Sequence, residues 1–113
     1  MAIPDEVRAR AEEALAAFCS QHSSTAGDQV RYGYEFETSA ALLMQQRPGF
    51  VRPDEWQSLP MAKFRYSAAR NEWSLYWRDS NDRWQRVSDV KAAHDISTLL
   101  EVVVKDPLGV FWS

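Results

Sequence analysis

Polar and apolar positions alternate with a period of two through the middle of the chain and follow a helical period at both ends. From Met61 to Ala68, the residues Ala62, Phe64, Tyr66 and Ala68 share one face of an extended segment, while Lys63, Arg65 and Ser67 share the other. From Trp73 to Arg78, one face holds Trp73, Leu75 and Trp77, and the other holds Ser74, Tyr76 and Arg78. A tight turn centred on Arg70 and Asn71 predicts the pairs Phe64 with Trp77, Tyr66 with Leu75, Arg65 with Tyr76 and Lys63 with Arg78. A second turn at Asp79-Ser80-Asn81-Asp82 predicts Trp84 opposite Trp77, which makes a three-strand meander rich in cross-strand aromatics. On this reading Trp73 and Trp77 are buried and Tyr76 lies on the reverse face.

Upstream, Val30 to Glu37 alternates Tyr32, Tyr34 and Phe36 against Arg31, Gly33, Glu35 and Glu37, so it reads as a strand with one buried face. Ala40 to Gln46 reads as its hairpin partner after a turn near Thr38 and Ser39, with Leu42 and Met44 expected towards the core. Between Arg47 and Pro60, three prolines and Gly49 argue against regular structure over most of the length, and Trp56 is expected to pin this crossing against the core.

Helical patterns frame the strands. Pro4 followed by Asp5 and Glu6 is a helix start, and Val7, Ala11, Ala14, Leu15 and Phe18 form one stripe, predicting a helix over 4–22. Ser23 to Asp28 then reads as a loop. Asp95 ahead of Ile96, Leu99, Leu100 and Val103 predicts a second capped helix, although Val102-Val103-Val104 prefers strand. Asp106-Pro107 stops it, and Val110-Phe111-Trp112 reads as a short final strand or tucked tail. The fold class this predicts is α+β: an antiparallel four- to five-stranded meander, packed on one face by an N-terminal and a C-terminal helix.

Composition narrows the picture. The chain has 113 residues, with 45% hydrophobic and 26% charged, which fits one globular domain over 1–113. One cysteine, Cys19, excludes an internal disulfide framework and suits a reducing cytoplasm. No apolar run reaches the length of a membrane span, so no membrane partner is expected, and the start lacks the basic end of a signal peptide. The net charge of −3 disfavours bulk electrostatic binding of nucleic acid. The charge is uneven, however: between Met61 and Arg86 six Lys/Arg face Glu72, Asp79 and Asp82, a local +3 that leaves −6 for the rest.

The combination Pro60-Met61-Ala62-Lys63 with Tyr66, then Trp73-Ser74-Leu75-Tyr76-Trp77, Trp84, and Asp106 with Gly109-Val110-Phe111-Trp112 resembles the small bacterial proteins of domain of unknown function 3024. The resemblance covers about Val30 to Ser113. Where the family tends to close Gly-Cys-Phe-Trp-Gly, this chain has Val110 and Ser113, which disfavours a cysteine-based role for the tail. The resemblance implies a fold unit and a bacterial source, and it implies no activity.

Candidate chemistry is sparse. His22 and His94 stand apart from each other and from Cys19, off any metal-ligand spacing, and read as solvated surface residues. Cys19 beside Leu15 and Phe18 reads as a half-buried structural thiol. Asp79 to Asp82 lacks the glycine and distal glutamate of a calcium loop and reads as a turn, and Glu35 with Glu37 reads as a solvated acidic pair. Neither a phosphate-binding glycine loop nor a nucleophile elbow is present, so catalysis is not expected and no cofactor or metal is implied. What is left is a candidate binding face of Lys63, Arg65, Tyr76, Arg78 and Arg83. Its cations either meet an external anion, meet acids of this chain such as Glu35, Glu37 or Glu101, or guard a wet sheet face. The leading expectation is a non-catalytic cytoplasmic interaction module for an unknown protein or anionic ligand. The alternative is single-stranded nucleic-acid binding through this face.

Overall fold

In the computed structural model, described over residues 3–22, 31–48, 52, 54–87 and 90–106, two helices cover one face of a five-stranded antiparallel sheet. The elements run α1 (Asp5–His22), β1 (Arg31–Phe36), β2 (Ala40–Pro48), β3 (Trp56–Ser67), β4 (Glu72–Arg78), β5 (Trp84–Arg86) and α2 (Ile96–Lys105). Neighbours in sequence are neighbours in the sheet, a meander of order β1-β2-β3-β4-β5. This is the α+β class that the alternation predicts.

Helix α1 starts where proline and two acids place it and buries Ala11, Leu15, Phe18 and Cys19. Helix α2 opens on Asp95, whose side chain accepts from Ser97 N at 2.9 Å, and closes on Asp106 in the left-handed region at φ 43. The stripe Ile96, Leu99, Leu100 and Val103 is buried, and this packing overrides the strand preference of the valines. Both stripes join Ala41, Leu43, Ala62, Phe64, Tyr66, Trp73 and Leu75 in one core cluster. Tyr32, Tyr34, Phe36 and Trp77 pack against it half-buried, so Trp77 is less enclosed than Trp73.

Several expectations need correction. Phe64 pairs with Leu75, Tyr66 with Trp73, Arg65 with Ser74 and Lys63 with Tyr76, two residues away from the predicted register. The cause is the connection: four residues, Ala68 to Asn71, join the strands, and Asn71 takes the left-handed conformation at φ 51. Its side-chain oxygen accepts from the Tyr66 hydroxyl at 2.5 Å. A shift of two preserves parity, so the two faces of β3 and β4 keep their membership. The next turn does not preserve it. Asp79 to Arg83 forms a five-residue connection that pairs Arg78 with Trp84 and Trp77 with Gln85, so Trp84 moves to the face opposite the helices.

In β2, Ala41 and Leu43 face the helices with no exposed surface, whereas Leu42 and Met44 lie on the reverse face, contrary to the expectation. Residues 47–60 are also more regular than their prolines indicate, since β2 runs to Pro48 and β3 starts at Trp56. Proline is tolerated here because Pro60 sits beside a bulge, with Met61 as the extra residue between the pairs Met44–Pro60 and Leu43–Ala62. It also lies beyond the last residue of β3 that pairs with β4, so β4 requires no N–H from it. Trp56 is 37% exposed and does not pin the core. The expected loop over 23–28 and the expected terminal strand over 110–112 lie outside the described residues.

Candidate binding face of the sheet

The face turned away from the helices carries the cations and a second set of aromatics. In one row across the strands, register places Glu35, Leu42, Lys63, Tyr76 and Arg86 side by side. Arg65 and Ser74 form the next row on one side, and Arg78 with Trp84 forms a row on the other. Tyr76 therefore has a cation on each flanking strand. The Arg65 guanidinium also lies 5.7 Å from its ring centre, and the Lys63 ammonium lies 5.9 Å from the Trp84 ring. At the far end of the sheet, Arg31 stacks 4.0 Å from the ring of Trp56.

Of the sequence candidates, Lys63, Arg65, Tyr76 and Arg78 share this face, while Arg83 sits exposed in the β4–β5 turn. Two of the cations are partnered within the chain: Lys63 Nζ lies 3.3 Å from Glu37 Oε1, and Arg78 Nε lies 3.3 Å from Asp82 Oδ1. The Arg78 Nε is shut off from solvent and makes no hydrogen bond, so its contact with Asp82 is ionic only. Arg65, Arg83 and Arg86 have no ion pair among the described residues. The predicted pairing of Lys63 with Arg78 is absent, since Lys63 stands opposite Tyr76.

Trp84, Arg86 and Trp56 escaped the sequence reading of the face. For Trp84 and Arg86 the missing signal was loop parity: Asp79 accepts the Asn81 N–H at 2.9 Å and the Arg83 N–H at 3.0 Å, and Asp82 adopts φ 62, which lengthens the turn to an odd count. The Arg83 N–H and the Gln85 side chain hold the Asp79 carboxyl below its ordinary range, as a turn built on that carboxylate requires. A turn is what these residues form.

Elsewhere, burial pushes the Cys19 thiol up to about 11, the property of a packed thiol and the reverse of an activated one. His22 lies against Phe18 at 4.4 Å between ring centres. His94 is exposed, with its Nδ1 2.5 Å from the Asn71 carbonyl oxygen. Among the described residues no group of three or more His, Cys, Asp or Glu could hold a metal, and no helix is long and apolar enough to cross a membrane.

The family model described as Domain of unknown function (DUF3024) matches residues 3–113. The match takes in α1, which the resemblance from Val30 onward had left aside. No curated protein and no solved structure matches the chain.

Proposed function

We propose that this chain, which belongs to the DUF3024 family along essentially its whole length, is a non-catalytic binding module that takes an acidic protein segment on the face around Tyr76. The observation that carries this reading is the arrangement of Tyr76 among Lys63, Arg65 and Arg86, with Arg65 and Arg86 lacking any acidic partner among the described residues. Tyr, Trp and Arg are among the side chains enriched where proteins meet, and Trp84 joins Tyr76 and the arginines here. Arg65 and Arg86 supply the charge complementarity that would orient a carboxylate-bearing partner. We assign the module to a reducing bacterial cytosol, a reading supported by its one cysteine, which is buried and unreactive.

One observation favours the rival reading. Trp84 beside Tyr76 on a basic sheet face is the raw material of a base-stacking platform for single-stranded nucleic acid. Against it, Arg65 and Lys63 already lie over those two rings, Glu37 and Asp82 hold two of the cations, and the chain carries −3 overall. Fluorescence anisotropy separates the two. A short labelled peptide rich in Glu and Tyr should bind and lose its binding in the Arg65→Glu, Arg86→Glu double variant. Mixed single-stranded oligonucleotides should give a flat trace at ~50 mM salt. Micromolar oligonucleotide binding with a salt slope of about −2, abolished by Arg65→Glu, would put the nucleic-acid reading first.

A further inference from the structure

We propose that the cleft between α1 and the start of α2, on the helical side of the molecule, is a second binding site for a small ligand bearing an ammonium group on an apolar body. Glu13 and His94 are its two acceptors. The cleft measures about 570 Å³, within the range of small-molecule sites. Its apolar lining comes from Val7, Ala11 and Ala14 on α1, with Trp73 and Ile96 opposite, and the small alanines leave the room that larger side chains would fill.

His94 stands at this cleft and is held there by three independent devices. Trp73 and Ala93 exchange both backbone hydrogen bonds, at 2.6 and 2.9 Å, and so clamp the residue before it. Asp95, the residue after it, is fixed as the cap of α2. The ring itself contacts the carbonyl oxygen of Asn71 at 2.5 Å, and Asn71 is held in turn by the hydroxyl of buried Tyr66. A carbonyl oxygen only accepts, so Nδ1 carries the proton of the neutral ring and Nε2 is left with its lone pair. A histidine that merely met solvent would need none of this anchoring.

Charge decides the ligand class. Asp95 Oδ1 takes both the backbone N–H and the hydroxyl of Ser97, at 2.9 and 2.7 Å, which closes the helix N-terminus from within. Those bonds, with the nearby charge of Arg10, hold the Asp95 carboxyl below its usual range, and among the lining residues Arg10 is outnumbered by the carboxylates of Glu13 and Asp95. Glu13, on the α1 wall, has no hydrogen bond or ion pair among the described residues. The lining thus carries a net negative charge, and its open acceptors are the Glu13 carboxylate and, in the tautomer that the Asn71 contact fixes, the Nε2 lone pair of His94. An ammonium with several N–H donors satisfies the pair, and its hydrocarbon part covers the alanine and tryptophan lining.

An NMR titration of the full chain with 2-phenylethylammonium tests this, with 2-phenylethanol and phenylacetate as controls. The ammonium should shift the amides of Ala11, Ala14, Trp73 and Ser97 along one saturable curve, and neither control should. Glu13→Gln, a change on an exposed helix position, should weaken binding about tenfold, the loss of one charge-assisted hydrogen bond. His94→Ala should weaken it as well, while Arg65→Glu on the far face should leave it unchanged. Shifts that never saturate, equal binding of the alcohol, or an unaltered affinity in Glu13→Gln would each overturn the proposal.

Discussion

Cys19 and Asp95 show how the same chain sets titratable groups in opposite directions. Burial on the inner face of α1 raises the Cys19 thiol from 9.0 to about 11, so it stays protonated and inert at neutral pH. Iodoacetamide should therefore leave the folded protein unmodified over hours and alkylate it rapidly in urea, as read by mass spectrometry. Fast labelling of the native state would show that α1 opens readily. Asp95 is the reverse case, lowered first by the Ser97 N–H and then by the Ser97 hydroxyl. A carboxyl depressed on folding contributes stability above its unfolded value, here 3.8, and loses it as pH falls through the lower folded value. Asp95→Ala should cost about 1 kcal/mol in urea melts at neutral pH. The gap between variant and parent should shrink at about pH 3, because the parent has then begun to lose the same cap.

At the scale of elements, the informative contrast lies within one strand. Leu43 on β2 is fully enclosed against the helices, while its neighbour Leu42 stands half-buried on the reverse face beside Lys63. Leu43→Ala should destabilise by about 2–5 kcal/mol, the range for large-to-small core changes. Leu42→Ala should cost a small fraction of that, and equal losses in chemical melts would contradict the observed register. The hydrophobic pattern could not decide between them, because Ala40 to Met44 is apolar at every position and lacks alternation. Loop lengths were equally opaque. Asn71 and Asp82 each adopt positive φ, and an Asn or Asp in a polar connection does not announce whether the loop has two, four or five residues. Yet that count alone sent Trp84 to the face opposite the helices rather than the core.

At the scale of the molecule, α1 supplies one side of the core. Its residues Ala11, Leu15 and Phe18 join Leu43, Phe64 and Leu75 in one cluster, and Glu12 accepts a hydrogen bond from Tyr34 on β1. Removing residues 1–22 should therefore uncover an apolar sheet face and lead to aggregation, as followed by size-exclusion chromatography. A soluble, cooperatively melting fragment from Ser23 onward would refute that role. The sequence by itself determined what local periodicity and end signals can encode: both helices, with the start of α1 and the N-cap of α2, the apolar faces of β1, β3 and β4, and the side of β3 and β4 on which Lys63, Arg65, Tyr76 and Arg78 lie. Each of these follows from residues a few positions apart. Tertiary structure decided the rest. The two-residue shift between β3 and β4, the bulge at Met61 and the company that Tyr76 keeps depend on loop lengths and on packing across strands. The anchoring of His94 depends on Tyr66, Asn71 and Trp73, which stand far before it in the chain and reach it only because the sheet brings β3 and β4 against the segment leading into α2. A single sequence, read by local pattern, carries no term for contacts of that range.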